Sequence, residues 1–240
     1  MNILFIGNSF TYFNDLPAAV AALCESRGVS VHVGRYIRGG AGLETHWLDN
    51  LGIAEGRHMF CLEPAPERKG GLDDALAERR WDWVVLQGHS RDPLLTPEDF
   101  AAYGRRLHDA AATNGARTML YQTFAHQTRP DDQPAISDAY RRLAAELGAA
   151  LAPVGDAWAA AFAARPGLVL HHEDQLHPND KGSYLAACVF AAKLTAQDPR
   201  GLPHELDAVR NDKGDPCYAL DSDSAWFLQD IAAQIVQHQA

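Results

Sequence analysis

The sequence has little positive charge and few cysteines, and both shortages exclude classes of protein. Its 240 residues include 21 Lys and Arg against 31 Asp and Glu, for a net charge of −10, and Lys and Arg form no long runs. We therefore expect neither a nucleic-acid partner nor binding to an anionic membrane surface. The cysteines at positions 24, 61, 188 and 217 form no Cys-x-x-Cys pair, which excludes a zinc ribbon and thioredoxin-type chemistry. Cys24 and Cys188 lie in helical patterns and are expected to be small core residues.

Long apolar runs and a leader segment are also missing. Ala157 to Ala164 is an alanine-rich apolar run, but it is far too short to span a bilayer. No basic-then-apolar leader precedes the first strand, which predicts a chain without a signal peptide and a cytoplasmic location. The hydrophobic content of 47% is enough for one sizeable core, and residues 1–240 are predicted to form a single domain.

Short apolar segments alternate with helical patterns along the chain. Strands are predicted at residues 3–6, 29–36, 83–86, 118–121 and 150–154. The clearest helices are predicted at 180–195 and 222–237. Alternating strands and helices are typical of a parallel sheet covered on both faces, here a doubly wound, flavodoxin-like α/β domain. Residues 52–70 show no period and are predicted to form an irregular surface excursion, and residues 196–220 are turn-rich before the final helix.

Polar or glycine-rich stretches follow the first three predicted strands. Ser9 follows the first strand, a glycine stretch ending at Gly42 follows the second, and Gln87 to Ser90 follows the third. The carboxyl ends of parallel strands meet at one edge of the sheet, where ligands bind in open α/β folds. We therefore expect these stretches to converge, with backbone amides of the glycine stretch able to approach a ligand closely.

A fourth stretch, Asp174-x-x-His177, comes late in the chain. Residues three apart on a helical turn face the same way, so the Asp174 carboxylate is expected to hold the His177 imidazole. A serine, a histidine and an orienting carboxylate are the parts of an acyl-transfer site. Glycine amides beside them are suited to bind an oxyanion.

Other interpretations of these residues stay open at this point. Ser9 is also a common turn residue, and Asp174 a common acid at a helix start. The cluster from His171 to His177 suggests a metal, yet it lacks the histidine spacing of the zincin motif, so no metal is predicted. His46 is expected to be a surface or loop histidine.

These stretches together resemble the SGNH (GDSL-type) serine hydrolase superfamily. Gly7-Asn8-Ser9-Phe10 is similar to its Gly-Asp-Ser-Leu block, Gly39 to Thr45 to its glycine block, and Asp174 to Pro178 to its Asp-x-x-His block with the trailing proline. The resemblance spans nearly the whole chain in order. It implies a three-layer α/β/α sandwich with a flavodoxin-like parallel sheet and a serine esterase that needs no cofactor.

The resemblance also implies roles for individual residues. Ser9 would be the nucleophile, His177 the base and Asp174 its orienter, with the Ser9 and Gly42 amides in the oxyanion hole. The substrate would be an acyl ester of a small molecule or a carbohydrate. An acetyl ester on a sugar is a common substrate in the family, so it is the substrate that the resemblance implies.

The sequence departs from the family at two positions. The aspartate of the first block is Asn8, and the asparagine expected as third oxyanion donor is replaced by His89. Gln87 is an alternative donor, and Gln87, Asn8 and Gly40 are predicted neighbours of the substrate or oxyanion. Two rival functions remain open: acyl transfer to a sugar or thiol, and a non-catalytic flavodoxin-like module that binds a phosphate.

Overall fold

A computed structural model describes residues 1–50, 71–210 and 214–238, which form two compact units. The first unit comprises the described residues of Met1–Thr11, His32–Thr123 and Pro134–Leu151. The second comprises those of Tyr12–Val31, Phe124–Gln133 and Ala152–Ala240. The predicted excursion at 52–70 lies outside the described residues, and the single-domain organisation stays a prediction.

The described strands form a single sheet. They are β1 Asn2–Gly7, β2 His32–Ile37, β3 Trp83–Leu86, β4 Arg117–Tyr121 and β5 Ala150–Ala152. Their order is β2-β1-β3-β4-β5, and β1 pairs in parallel with both β2 and β3, as β3 does with β4. Ile6 in β1 lies between Tyr36 and Leu86 in this register. The order is that of flavodoxin-like doubly wound folds, which confirms the predicted class.

The central strands are apolar at consecutive positions because both of their faces are buried. Ile3, Leu4, Phe5 and Ile6 of β1 are all buried, as is the whole of β3. A strand with one solvated face would alternate apolar and polar residues instead. This burial explains why β1 and β3 were recognisable from short unbroken apolar runs.

The helices complete the alternating pattern. They are α1 Ser9–Tyr12, α2 Leu16–Glu25, α3 Leu43–Asn50, α4 Leu72–Ala77, α5 Asp92–Leu95, α6 Pro97–Thr113, α7 Gln133–Leu147, α8 Val154–Ala164, α9 Asp180–Thr195 and α10 Ser222–Gln237, with 3₁₀ turns at Phe13–Asp15 and Pro130–Asp132. In the first unit, α3 packs against α4 and α6, and α5 against α6. None of the helices in the described ranges is long and apolar enough to cross a membrane.

The second unit is organised around α9. This helix is buried on nearly all sides from Gly182 to Ala192, and it packs against α2, α8 and α10. Its N-cap is Asn179, whose side chain accepts a hydrogen bond from the Gly182 amide at 2.9 Å. Both α9 and α10 begin and end at the predicted residues. Cys24 in α2 and Cys188 in α9 are buried, which confirms their prediction as core residues.

Two local differences from the sequence-based expectation have clear physical causes. Strand β2 begins at His32 rather than Val29, because the Val29 amide donates to the Cys24 carbonyl at 3.1 Å and so belongs to the end of α2. Gly28 supplies the left-handed conformation, with φ of 78°, that this helix end requires. Helix α5 was not predicted, because four residues are too few to show a helical period.

Candidate active site

Ser9 lies where β1 ends, as the first residue of α1 and directly after Asn8. The Thr11 amide donates to the Asn8 carbonyl at 2.9 Å, which closes the turn that carries the serine. Ser9 itself is half-buried, whereas its neighbours Asn8 and Phe10 are buried. The turn therefore leaves the serine as the accessible residue of this segment.

The Asn8 side chain joins the ends of three strands. Its amide nitrogen donates to the Ala41 carbonyl at 2.7 Å and to the Gly88 carbonyl at 3.3 Å. Its carbonyl oxygen accepts from the Phe10 amide at 3.1 Å and from the Gln87 side chain at 2.9 Å. Asn8 is only 2% exposed, and its four hydrogen bonds hold the loops around Ser9, while its predicted place beside the substrate stays a prediction.

Gln87 completes this buried network. Its side-chain oxygen accepts a hydrogen bond from the backbone N–H of Asn8 at 2.9 Å and another from the Thr11 hydroxyl at 2.8 Å. Its side-chain nitrogen donates to the Asn8 side chain and to the Gly88 carbonyl. With both N–H groups engaged and no exposed surface, Gln87 is unsuited to the predicted alternative role of oxyanion donor.

Because Asn8 donates to two carbonyls, replacing it with the family's aspartate is expected to destabilise this protein. The Asn8→Asp carboxylate would face two carbonyl oxygens that have lost their donors, for a cost of about 3 kcal/mol in unfolding free energy. Urea unfolding measures the change. The control is Asn114→Asp at the exposed end of α6, where water replaces the lost donor. Parental stability in Asn8→Asp would rule out the donor assignment.

Gly42 lies just before α3, beside the third strand's loop. The Ala41 carbonyl is held by Asn8, and a trans peptide group directs the Gly42 N–H the opposite way, where it makes a long hydrogen bond of 3.4 Å to the Thr45 hydroxyl. A Cβ at Gly42 would collide with the Asp92 carboxylate and would lie 3.7 Å from the His89 Cβ, so a larger residue here would have to displace Asp92. Gly40, by contrast, is an exposed turn residue with φ of 68°.

His89 and Asp92 form a pair that spacing alone did not reveal. The His89 amide donates to Asp92 Oδ2 at 3.2 Å, and His89 Nδ1 lies 3.6 Å from Asp92 Oδ1. Burial raises the pKa of the Asp92 carboxyl, and the neighbouring His89 opposes that rise. The His89 side chain is 43% exposed, so its ring is accessible, while the hydrogen bond to Asp92 holds the His89 backbone. The three-residue separation of His89 and Asp92 was the feature of the sequence that could have indicated this pair.

In the second unit, Asp174 and His177 are brought together by a loop rather than by the expected helical turn. Asp174 Oδ1 accepts from the amides of Leu176 and His177, both at 2.9 Å. Gln175 adopts the left-handed conformation, with φ of 62°, which closes the turn. A side chain that accepts from amides two and three residues ahead closes a turn of its own, without a helix.

The Asp174 carboxylate also accepts a hydrogen bond from the His177 ring. Asp174 Oδ2 lies 2.6 Å from His177 Nδ1. Partial burial alone would raise the Asp174 pKa, but the bonds from the His177 ring and from the two amides outweigh it and lower the pKa to about 2. Because the ionised carboxylate only accepts, Nδ1 carries the proton and Nε2 is left as the basic nitrogen.

Other histidines have structural partners. Burial lowers the His171 pKa, and the hydrogen bond from its Nε2 to the Ala125 carbonyl at 3.0 Å only partly opposes that. His46 is fully buried on α3, contrary to its prediction as a surface residue, and its Nε2 donates to the Gly7 carbonyl at 2.9 Å. Within residues 1–50, 71–210 and 214–238, no cluster of three His, Cys, Asp or Glu residues is arranged to hold a metal.

The chain is similar to several solved structures. A protein from Slackia heliotrinireducens assigned to the SGNH hydrolases is 31% identical, over 81% of this chain and 98% of its own, with a TM-score of 0.64. A DUF4886 family protein from Bacteroides uniformis ATCC 8492 is 20% identical over 100% of this chain and 95% of its own, with a TM-score of 0.76. The psychrotrophic esterase EstA from Pseudoalteromonas sp. is 14% identical over 81% and 97%, with a TM-score of 0.55, and these last two likenesses concern the fold alone. No protein-family model and no curated protein matches the chain.

Proposed function

The chain belongs to the SGNH hydrolase superfamily, and from that membership we propose that it is a serine esterase acting through a covalent acyl-enzyme. The observation that carries the proposal is the hydrogen bond between Asp174 and His177 Nδ1. This hydrogen bond places the ring proton of His177 on Nδ1, which supports Nε2 as the nitrogen that accepts a proton. A phosphate-binding module would have no need for this pair.

In this proposal Ser9 is the nucleophile, His177 the general base and Asp174 the residue that orients the base. Support for Ser9 comes from its place at the carboxyl end of β1, in a turn held by the buried Asn8 network. Support for His177 comes from a ring that is 18% exposed and tied at one nitrogen to an ionised carboxylate. A nucleophile, a base and an orienter are the minimum for this chemistry.

The proposed reaction has two steps, acylation of Ser9 and hydrolysis of the acyl-enzyme. The Ser9 oxygen bonds to the ester carbonyl carbon while its proton passes to His177 Nε2. The bond between that carbon and the ester oxygen then breaks, and His177 gives the proton to the departing alcohol. Water attacks the acyl-enzyme by the same route, which releases the carboxylic acid and restores the Ser9 hydroxyl.

The tetrahedral intermediate carries a negative charge on the former carbonyl oxygen. We assign its donors to the amides of Ser9 and Gly42 and to the His89 ring. The orientation of the Gly42 peptide by Asn8 and the closeness of His89 to Gly42 support this assignment. A neutral imidazole donates through one nitrogen, as the asparagine of related enzymes would.

His89→Ala is expected to lower kcat by about 10²–10³ with little change in KM, because an oxyanion donor acts mainly in the transition state. His89→Asn should recover part of that loss. Steady-state kinetics on a chromogenic acetyl ester measure both effects. His238→Ala, at the exposed end of α10, is the matched control. Parental kcat in His89→Ala would mean that backbone amides alone bind the oxyanion.

We propose an acetyl group on a carbohydrate as the substrate, with the esterase class tested first. Hydrolysis of chromogenic esters from acetate to laurate, beside acetylated sugars, would define the acyl group and the alcohol. The fold relative from Pseudoalteromonas sp. is described as inhibited by monoethylphosphonate, which suggests phosphonates as covalent probes. No ester turnover and no phosphonate labelling of Ser9 would refute the proposal.

A further inference from the structure

Phe13 stacks face to face on the imidazole of His177. The two ring centroids lie 4.1 Å apart, and their planes differ by 5°. Phe13 is half-buried and follows Ser9 by four residues in the chain. The His177 ring is thus held on one face by Phe13 and at Nδ1 by Asp174. The sequence shows no period or motif that would have marked this phenylalanine.

The backbone after Phe13 adopts an uncommon conformation. Asn14 and Asp15 both have positive φ, at 53° and 43°, a region that residues other than glycine seldom adopt. Asparagine and aspartate tolerate this conformation better than other residues with a side chain. Two consecutive residues in this conformation reverse the chain immediately after the stacked ring.

Specific contacts hold this turn in place. The Asn14 side chain donates to the Ser183 hydroxyl at 3.0 Å and to the Pro178 carbonyl at 3.3 Å. Asp15 accepts from the Ala18 amide at 3.4 Å and caps α2. Since Pro178 directly follows His177, the turn that presents Phe13 is tied to the segment that presents the histidine.

We propose that Phe13 is a positioning residue for His177, which fixes the imidazole plane and stabilises its protonated form during acyl transfer. The inference rests on the proposed role of His177 as general base. An aromatic face attracts a cation within about 6 Å of the ring centroid, so the stack favours imidazolium over imidazole. It also limits rotation of the ring away from Asp174.

Asp174 and His172 are titratable groups near the His177 ring. Asp174 Oδ2 bonds to Nδ1, and His172 Nδ1 lies 3.8 Å from the same oxygen. The His172 ring meets Phe13 edge-on, with centroids 6.3 Å apart. Replacing Phe13 leaves Asp174 and His172 in the chain and removes the aromatic contacts to the His177 and His172 rings, so a change in the titration of His177 would report the loss of those contacts.

Phe13→Leu keeps an apolar side chain and removes the ring. We expect kcat/KM at high pH to fall about tenfold, equal to about 1.4 kcal/mol. The midpoint of the pH profile should move down by about half to one pH unit, because the protonated histidine has lost its stabilising face. Phe13→Tyr, which retains the ring, should restore both. NMR titration of the His177 ring measures the same shift without any substrate.

The control is Phe162→Leu in α8, where a phenylalanine stacks on His171 with planes 5° apart and centroids 5.9 Å apart. It should leave kcat/KM and the His177 titration unchanged. A Phe13→Leu protein with the parental His177 titration would overturn the inference, even where Ser9→Ala is inactive. The inference would be supported if the midpoint of the His177 titration were parental in Phe13→Tyr and lower in Phe13→Leu. This result would not depend on whether Ser9 is the nucleophile.

Discussion

Ser9→Ala is expected to abolish ester turnover, with a loss in kcat on the order of a million-fold. Members of a nucleophile–base–orienter set act as a unit, so removing the nucleophile removes nearly the whole contribution of the set. The variant should fold normally, with an unfolding free energy within about 1 kcal/mol of the parent. The reason is that Asn8, Gln87 and Thr11 hold this turn through their own side chains.

Kinetics, covalent labelling and urea unfolding together test this expectation. A fluorophosphonate should label the parent at Ser9, as read by peptide mass spectrometry, and should not label Ser9→Ala. Ser222→Ala, at the exposed start of α10, removes a hydroxyl of the same kind away from the turn and should remain active. Substantial turnover by Ser9→Ala would exclude the serine mechanism, provided that unfolding shows the variant to be native.

Asp174→Asn is expected to lower kcat by roughly 10⁴, while the loop keeps its shape. The amide oxygen can still accept from the amides of Leu176 and His177, as Oδ1 does now. The amide nitrogen would face His177 Nδ1 in place of Oδ2, and a donor there requires Nδ1 to be unprotonated. The ring proton would then reside on Nε2, so the nitrogen assigned as the base could not accept the serine proton.

The test compares rates from pH 5 to 9 for the parent, Asp174→Asn and Asp223→Asn. Asp223 pairs with Arg165 at the surface, so its variant removes a carboxylate without touching the site and should stay active. The parental kcat/KM should rise with pH as the histidine base loses its proton. A fully active Asp174→Asn, or a parental rate independent of pH over this range, would contradict the assigned roles.

The same substitution has a consequence for stability. Asp174 has a pKa of about 2 in the folded protein, below the value of about 3.9 for an unfolded aspartate. Its contribution is therefore fully present above about pH 4 and is lost as pH falls toward 2. The carboxylate is 41% exposed, so screening by solvent keeps the contribution small. The difference in unfolding free energy between parent and Asp174→Asn should narrow over that interval.

Elements with an unbroken local pattern were predictable. β3 and α9 were assigned with their observed bounds, because a buried strand and a long buried helix each reveal themselves over consecutive residues. Helix α5 was not predictable, because four residues are too few to show a helical period. The start of β2 was not predictable either, because the Val29 amide donates to the Cys24 carbonyl at the end of α2 and the strand begins after it. The exact ends of helices and strands depend on hydrogen bonds formed there, and the type of residue indicates those bonds only weakly.

The sequence by itself determined the α/β class and the family resemblance, and it singled out Ser9, Asp174 and His177 as the residues to consider. It did so because strands, helices and the Asp-x-x-His spacing are local, and three residues of separation are enough to join a carboxylate to an imidazole. Tertiary structure decided the rest. Asn8 and Gln87 lie 79 positions apart, and only folding shows that they bond to each other and are therefore structural. Phe13 and His177 are likewise distant in the chain, and their stacking follows from a turn that left-handed Asn14 and Asp15 make possible. Contacts between remote residues depend on how whole elements pack, and no local pattern of residue types encodes that packing.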